Sequence, residues 1–299
     1  IMKLVLAIHK YYFMHQLKIF AELTRLNRPT GLMLLSWPCS RGLAYAYTVN
    51  QDLNLFIYYL ILFFFGSVLM RSAGCIFNDI VDKDFDKKVK RTKTRPIAAG
   101  KITIRHSLIY VLILCIFALL ILLQFNFFTI ILGMSSMILA FSYPFMKRIT
   151  YWPQLFLGVT FNWGIVMAWV AINNNITMEI IILYLSAIFW TLGYDTIYGT
   201  QDISDDEIIG LKSTSIKFKK NIKQFVTISY FITILALITL FYDSIKLDVS
   251  SLFIFLFISS LIYQIIIFKK NKPASCLQSF KLNNYSGLFL FLGICFNNI

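Results

Sequence analysis

Two short acidic segments hold most of the carboxylates in this chain. Asp and Glu number fourteen against twenty-eight Lys and Arg, and nine of the fourteen lie in residues 79–86 and 195–207. Each segment follows a long apolar stretch; the first comes after "LILFFFGSVLMRSAGCIF". Charge is costly beside an apolar environment, so carboxylates gathered at the ends of hydrophobic helices indicate a functional site.

The spacing in the first acidic segment puts most of its carboxylates on one side of a helix. At roughly 100° per residue, Asp79, Asp82 and Asp86 fall within about 60° of one another, whereas Asp84 points away. Asn78 adds a neutral oxygen beside them. A solvated helix end explains one such segment on its own, but it explains a matched pair of segments less well.

The second acidic segment repeats the pattern. Asp195, Asp202 and Asp206 share one face within about 40° if the helix continues that far. Two carboxylate faces at one membrane surface would repel each other, and their pKa values would rise unless a cation intervened. Oxygen ligands without His or Cys suit a hard ion such as Mg²⁺, which binds through a few carboxylates and substrate phosphates.

A basic, glycine-containing stretch follows each acidic segment: "RTKTRPIAAGKIT" after the first and "GLKSTSIKFKK" after the second. Arg91, Lys93, Arg95 and Lys212 in these stretches supply positive charge for phosphate oxygens. A diphosphate attached to a lipid tail would explain why such a site lies at the end of membrane helices. The three His and five Cys show no ligand spacing, so neither zinc nor haem is expected.

Two arginines interrupt apolar stretches. An intramembrane charge costs ~2.5–3.5 kcal/mol on insertion scales, so Arg71 is expected to be functional or paired. Either Asp79 or Asn78 is its expected partner. Arg41 lies inside the first predicted helix, and the sequence leaves open whether its side chain reaches the membrane surface or a cavity.

The rest of the sequence predicts an all-α polytopic membrane protein. The chain is 58% hydrophobic with a mean hydropathy of +0.72, and its apolar stretches of ~18–22 residues match the thickness of a bilayer. These stretches leave no room for a soluble core. Nine transmembrane helices are predicted, at residues 29–49, 55–80, 105–123, 125–143, 152–172, 176–198, 222–242, 248–268 and 284–298.

The loop charges set the orientation of the chain. A net charge of +14 would suit a nucleic-acid partner, but Lys and Arg fall in alternate loops, which is the positive-inside pattern of a membrane protein. The opposite loops carry only Lys246. We therefore expect no nucleic-acid partner, a cytoplasmic N-terminus, and both acidic segments opening to the cytoplasm.

The predicted helices also indicate the domain organisation. Residues 1–28 read as an amphipathic interfacial segment, and residues 29–299 as a single transmembrane domain. Each acidic segment follows the second helix of a four-helix set. This suggests internal duplication, with halves at about 29–145 and 150–268 and a last helix at 284–298.

Several stretches resemble one known family. "RSAGCIFNDIVDKDFDKKVKRTKTRPIAAGKIT" resembles the first signature of the UbiA superfamily of membrane prenyltransferases, NDxxDxxxD followed by RTxxRPxxxG. "YDTIYGTQDISDDEIIGLKSTSI" resembles the second signature. "RLNRPTGLMLLSWP", "SYPFMKRITYWPQLFLG" and "NNYSGLFLFLG" are similar to the branch that prenylates 4-hydroxybenzoate. The resemblance covers nearly the whole chain in order.

The resemblance implies nine transmembrane helices in a ring around a central cavity, with a cytoplasmic cap. It implies that 4-hydroxybenzoate and a polyprenyl diphosphate combine to give 3-polyprenyl-4-hydroxybenzoate, in ubiquinone synthesis. The implied Mg²⁺ ligands are Asn78, Asp82, Asp86, Asp202 and Asp206, and the four aspartates are the expected catalytic residues. A bacterial inner membrane is the expected compartment, with the mitochondrial inner membrane as the alternative.

Other residues take implied or supporting roles. Arg148, in "FMKR", matches the arginine proposed to hold the aromatic carboxylate, and Lys212 falls in the KST signature near the diphosphate. Arg71, Asp79 and Asp195 are possible supporting residues. Arg41 is a departure, because relatives usually carry an aromatic or apolar residue there. It puts in question either the packing of the first helix or the activity.

Three alternatives compete with this interpretation. A prenyltransferase of the same superfamily could use a haem, naphthoate or chlorin acceptor. An ion or lipid transporter would need charges spread across the membrane, whereas these crowd one face. A CDP-alcohol phosphotransferase would carry a DGxxAR signature, which the sequence lacks. Prenyl chain length and oligomeric state stay open.

Overall fold

A computed structural model describes residues 14–27, 29–242 and 246–297. Within these ranges the chain forms helices and turns and no strand. Nine of the described helices have 19 or more residues. They are α1 (Pro29–Asn50), α2 (Leu53–Val81), α3 (Ile104–Leu122), α4 (Phe127–Ile149), α5 (Pro153–Asn173), α6 (Met178–Gly199), α7 (Ile222–Phe241), α8 (Val249–Ile267) and α9 (Pro273–Phe296).

Seven of the described helices, α2 to α8, are long and apolar enough to cross a membrane. A helix satisfies its own backbone hydrogen bonds, which is the condition for crossing a bilayer. The chain is therefore an all-helical, multi-pass membrane protein. Helices α1 and α9 are more polar and pack together, with the Trp37 indole N–H donating to Asn284 Oδ1 at 2.9 Å.

Two helices differ from the sequence-based bounds in ways that affect the site. Helix α4 runs to Ile149 rather than to residue 143, which puts Lys147 and Arg148 in its last turn. Helix α9 begins at Pro273 rather than at residue 284, with proline in the first turn where it disrupts no hydrogen bond.

The predicted interfacial segment is described only in part. Residues 14–24 are helical, whereas residues 1–13 and 28 lie outside the described residues. Ile19 and Leu23 are buried in a cluster with Ala73, Ile76 and Ile97. This part of the N-terminal segment is therefore packed against α2 and the loop that follows it.

Close helix packing holds the core around α1, α5 and α6. A Cβ on Gly42 of α1 would collide with the carbonyl oxygen of Ile165 and with the Ala168 side chain on α5. The two backbones can approach this closely because glycine has no side chain. On α6, Trp190 is buried and donates its indole N–H to Asn283 of α9 at 2.8 Å.

An apolar cavity of about 140 Å³ lies among helices α1 to α5. Its lining includes Cys39 of α1, Gly66 and Met70 of α2, Gly133 of α4 and Phe161 of α5. The nearest atom to a Cβ built on Gly66 is 4.0 Å away, so this wall has room for a side chain. The helices thus enclose a pocket suited to a hydrocarbon chain.

Candidate active site

The first acidic segment turns at the end of α2 instead of continuing it. Helix α2 ends at Val81, Asp82 caps it, and a separate four-residue helix covers Lys83–Asp86. The assumption of one continuous helix through residue 86 is therefore wrong. Asp82 and Asp86 are nonetheless both buried, at 1% and 6% exposure. Asp84 points away, as predicted, and its ion-pair partner is the neighbouring Lys87.

Asp82 is held by the last turn of α4. The Lys147 ammonium donates to Asp82 Oδ2, and the Arg148 guanidinium lies 3.5 Å from Asp82 Oδ1. Arg148 also donates to the Val81 carbonyl at 2.8 Å and stacks over the Phe85 ring at 4.8 Å. The six residues by which α4 exceeds its predicted end therefore supply the partners of Asp82.

Asp79 and Asp86 share one cation from the loop that follows. Arg95 Nη1 donates to Asp86 Oδ2 at 2.8 Å and to Asp79 Oδ1 at 3.1 Å. Asp79 also accepts from Arg25 Nη2 at 2.6 Å. These contacts place Arg95 inside the acidic segment, where its guanidinium could exchange a carboxylate partner for a phosphate oxygen.

The second acidic segment is also broken. Helix α6 ends at Gly199, a 3₁₀ turn covers Thr200–Asp202, and a short helix covers Ile203–Ile208. The condition that the helix continues to residue 206 is therefore not met. Asp202, at the end of the 3₁₀ turn, contacts Arg91 in the loop that follows the first segment.

Arg91 joins the two acidic segments. Its Nη2 donates to Asp202 Oδ2 at 2.6 Å and its Nη1 to the Tyr198 hydroxyl at 2.8 Å. Burial works to lower the pKa of Arg91, but the nearby Tyr198 and Asp202 oxygens outweigh it and raise the pKa. The guanidinium therefore stays charged, and the charges of Arg91 and Lys147 both act on Asp206.

The loops after both segments turn in the same way. Gly100 has φ +71° and Gly210 has φ +75°, a left-handed conformation that favours glycine. After the second turn, Lys212 donates its backbone N–H to the Lys147 carbonyl at 2.8 Å and its ammonium to the Ile149 carbonyl at 3.2 Å. Lys212 is thus tied to the end of α4, whereas Lys93 is exposed.

Arg71 and Asp195 lie deeper along α2 and α6. The expectation that Asp79 pairs with Arg71 is wrong, because Asp79 binds Arg25 and Arg95 instead. The Arg71 guanidinium lies over the Phe161 ring at 5.4 Å, and its charge acts on Asp195. The two supporting residues are therefore coupled electrostatically beneath the acidic segments.

Arg41 is buried between helices, at 1% exposure, so it does not reach the membrane surface. Its Nε donates to the Trp37 carbonyl at 3.2 Å and its Nη2 to Asn162 Oδ1 at 3.4 Å. The guanidinium stacks over the Trp190 ring at 4.8 Å. Its Nη1 is buried without a hydrogen-bond partner in the described part of the chain.

Sequence reasoning misses three residues of this site. Lys147 reads only as a topology signal, although it neighbours Arg148 in "FMKR". Arg25 falls in the interfacial segment, although "RLNRP" carries part of the resemblance. Tyr198 is one of sixteen tyrosines and has no distinguishing signal. All three bind residues far away in sequence, which no local pattern reports.

The donor set fits a hard divalent ion by its chemistry. It consists of buried or half-buried carboxylates from two segments joined at one end of the helices. Among the described residues no group of three His, Cys, Asp or Glu side chains is already gathered as a metal site. Lys147, Arg95 and Arg91 neutralise these carboxylates instead. A bound metal–diphosphate could give each member of these ion pairs a new partner. The carboxylates would then bind the metal, and the Lys and Arg side chains would bind the phosphate oxygens.

The fold and the site together define a class. The protein is a multi-pass helical membrane protein with two linked acidic segments and basic loops at one end of an apolar bundle. The UbiA prenyltransferase family matches residues 35–291. The chain belongs to this family, and the family expected from the two acidic signatures is confirmed.

Relatives from animals and bacteria cover nearly all of the chain. A protein of Bos taurus named "4-hydroxybenzoate polyprenyltransferase, mitochondrial" is 41% identical over 296 residues, covering 95% of this chain and 76% of the relative. A "4-hydroxybenzoate octaprenyltransferase" of Francisella tularensis subsp. novicida (strain U112) is 39% identical over 280 residues. It covers 93% of this chain and 96% of the relative.

Solved structures share the fold. A UbiA homolog from Aeropyrum pernix K1, in an apo structure, has a TM-score of 0.75 at 22% identity and covers 89% of this chain and 98% of that chain. A UbiA homolog from Archaeoglobus fulgidus bound to GPP and Mg²⁺ has a TM-score of 0.69 at 18% identity, covering 94% and 100%. At these identities the likeness shows the fold alone.

Proposed function

We propose that this protein is a 4-hydroxybenzoate polyprenyltransferase of ubiquinone synthesis. It transfers a polyprenyl group from a polyprenyl diphosphate to the ring carbon ortho to the hydroxyl of 4-hydroxybenzoate. The observation that carries the proposal is the Arg91 bridge from the loop of the first acidic segment to Asp202 of the second. The names of the relatives at 41% and 39% identity support the choice of acceptor.

Asn78, Asp82, Asp86, Asp202 and Asp206 are the proposed ligands of Mg²⁺. When bound, the ion supplies positive charge to the leaving diphosphate. The Archaeoglobus fulgidus homolog bound to GPP and Mg²⁺ supports this choice of cofactor. Asp82, Asp86 and Asp202 are each already paired with a cation, so these three side chains can exchange partners without leaving charge unpaired.

Basic side chains of the two loops bind the diphosphate. Arg91 and Arg95 each bind a carboxylate of the two segments, which places both guanidinium groups beside proposed metal ligands. Lys93 and Lys212 add charge from the rim, where Lys93 is exposed and Lys212 lies at the end of α4. Positive charge there holds the departing group while the allylic carbon–oxygen bond breaks.

Arg148 orients the aromatic acceptor. Its Nε is buried without a partner in the described chain, which leaves a donor for a carboxylate. The guanidinium plane rests between the Phe85 and Phe145 rings, at 4.8 and 5.6 Å from their centroids. Holding the carboxylate there turns the ring so that carbon, rather than oxygen, meets the prenyl group.

The apolar cavity between α1 and α5 takes the prenyl chain. It is bounded on the α4 side by Met137, which also lines a groove with Phe77 and Phe145 on the outer surface of the bundle. The groove reaches the level of the acidic segments. A hydrocarbon chain attached to a diphosphate in the site would therefore lie mostly against apolar side chains.

The topology proposed is nine membrane spans in a ring, with α1 and α9 added to the seven apolar helices and the two loops forming a cytoplasmic cap. Residues 29–299 form one domain with halves at about 29–145 and 150–268. The left-handed turns at Gly100 and Gly210 support that duplication. The compartment is a bacterial inner membrane or, as the name of the bovine relative suggests, the mitochondrial inner membrane.

The test uses membranes containing the protein, radiolabelled 4-hydroxybenzoate, a polyprenyl diphosphate and Mg²⁺. Label should enter the organic extract, and EDTA or the Asp82→Ala variant should abolish the transfer. Asp84→Ala is the matched control, because this side chain is exposed and pairs with the exposed Lys87. Transfer that survives in Asp82→Ala, or no transfer by folded protein across several chain lengths, would refute the proposal.

A further inference from the structure

Arg25 adopts a conformation that arginine rarely takes. Its φ of +55° lies in the left-handed region, which is disfavoured for most residues other than glycine and asparagine. Such a residue persists only when surrounding contacts hold it, and these residues cluster at functional sites. The conformation therefore directs attention to what the Arg25 side chain contacts.

Its guanidinium contacts the acidic segment. Arg25 Nη2 donates to Asp79 Oδ1 at 2.6 Å, and the same oxygen accepts from Arg95 Nη1 at 3.1 Å. That Arg95 nitrogen also donates to Asp86 at 2.8 Å. Arg25, Asp79, Arg95 and Asp86 form one continuous chain of charge-assisted hydrogen bonds that ends at a proposed metal ligand.

The order of this chain gives Arg25 a specific effect. The Asp79 side chain is only 2% exposed, so its charge has to be balanced by neighbouring cations. Without Arg25, the Asp79 carboxylate would have Arg95 as its remaining ion-pair partner. Arg95 would then be held more strongly at Asp79 and less at Asp86, which moves it away from the position proposed for phosphate binding.

The segment that carries Arg25 is anchored on the protein. Ile19 and Leu23 are buried beside α2 and α3, and Phe20 packs edge-on against Tyr110 with ring centroids 5.3 Å apart. A buried helix face fixes where the segment ends and therefore where the Arg25 backbone turns. The N-terminal segment is thus placed to act on the site through one side chain.

We propose that Arg25 is a positioning residue of the active site. By neutralising Asp79 it leaves Arg95 aligned between Asp79 and Asp86, so the N-terminal segment completes the diphosphate-binding end of the site. This inference rests on the proposed function of Arg95 and Asp86. It assigns a role in the reaction to a segment whose sequence suggests only attachment to the membrane surface.

The principal variant is Arg25→Asn, because asparagine tolerates the left-handed backbone and removes only the guanidinium. We expect the KM for polyprenyl diphosphate to rise roughly 10–100-fold, the usual range for loss of a residue that orients a ligand, with a smaller fall in kcat. The melting temperature of Arg25→Asn should fall by no more than that of Glu22→Gln, a control variant in the same N-terminal segment. Arg25→Lys should recover part of the affinity.

A double-mutant cycle separates positioning from general damage. In an Asp79→Asn background Arg25 has no charge to hold, so Arg25→Asn should raise KM little further. The control cycle uses Glu22→Gln and Lys101→Gln, an ion pair of 3.8 Å between the same N-terminal segment and the same cap loop. Because Lys101 is exposed and Glu22 only half-buried, loss of that pair should leave KM unchanged.

Two results would overturn the inference: independent, multiplying effects of Arg25→Asn and Asp79→Asn on KM, or an unchanged KM in Arg25→Asn. A second readout keeps the test separate from the proposed acceptor. Inorganic diphosphate with Mg²⁺ should raise the melting temperature of the wild type more than that of Arg25→Asn, whichever acceptor is used. Equal protection of both proteins would also refute the role of Arg25.

Discussion

Replacing Lys147 by methionine tests whether a divalent ion and this lysine compete for the same carboxylate, that of Asp82. Lys147 is the main cation on Asp82, whose side chain is only 1% exposed. Removing one partner of a buried ion pair typically costs about 3–5 kcal/mol. Here Arg148 remains 3.5 Å from the other Asp82 oxygen, and Lys147 is itself 28% exposed. Both reduce the expected loss to roughly 1–3 kcal/mol.

The assay is thermal unfolding in detergent, followed by tryptophan fluorescence with and without Mg²⁺. Without Mg²⁺, Lys147→Met should melt several degrees below the wild type, because the buried Asp82 charge then has only the weaker 3.5 Å contact with Arg148. A ligand present at 100 times its dissociation constant stabilises by about 2.7 kcal/mol. Because the ion no longer competes with Lys147, Mg²⁺ should therefore stabilise Lys147→Met more than the wild type.

Two control variants sharpen this comparison. Lys147→Arg keeps the charge and should behave as the wild type does. Arg105→Met removes one basic residue from the exposed start of α3 and should respond to Mg²⁺ as the wild type does. Equal stabilisation of Lys147→Met and wild type by Mg²⁺ would refute the reasoning, because the ion and the lysine would then not share Asp82.

Two glycines give further predictions: a side chain added at Gly42 would have no room, whereas one added at Gly66 would enter the apolar cavity. Gly42→Ala should lower stability by about 1–3 kcal/mol in the same melting assay, because its Cβ would meet the Ile165 backbone; Gly74→Ala, with open space around its Cβ, is the control. Gly66→Phe should fill the apolar cavity, so transfer from long polyprenyl diphosphates should fall while transfer from a geranyl donor persists. Equal loss with both donors would argue against this cavity as the prenyl site.

The sequence is sufficient to predict the family and an all-helical membrane fold. Seven of the predicted hydrophobic stretches correspond to helices α2 to α8, which are long and apolar enough to cross a membrane, because hydrocarbon thickness sets both their length and their composition. Helical spacing groups Asp79, Asp82 and Asp86, and all three side chains are buried. It also predicts that Asp84 points away, and Asp84 is exposed.

The partners of these carboxylates could not be read in the same way. Lys147 is 65 residues from Asp82, and Arg25 is 54 residues from Asp79. In loops that carry many Lys and Arg residues, topology explains each cation equally well, so no single one is distinguished. The breaks at Val81 and Gly199 also escape prediction, because apolar periodicity does not encode where a helix turns into a cap.

Arg41 is held by side chains that lie outside the two acidic segments. Its guanidinium contacts Trp37, Asn162 and Trp190, and none of these belongs to the two acidic segments. Stacking on a desolvated indole is worth about 2 kcal/mol or more, close to the ~2.5–3.5 kcal/mol that insertion of the charge costs. The Arg41 charge is therefore accommodated where α1 meets α5 and α6, by contacts separate from those of the acidic carboxylates and their cations.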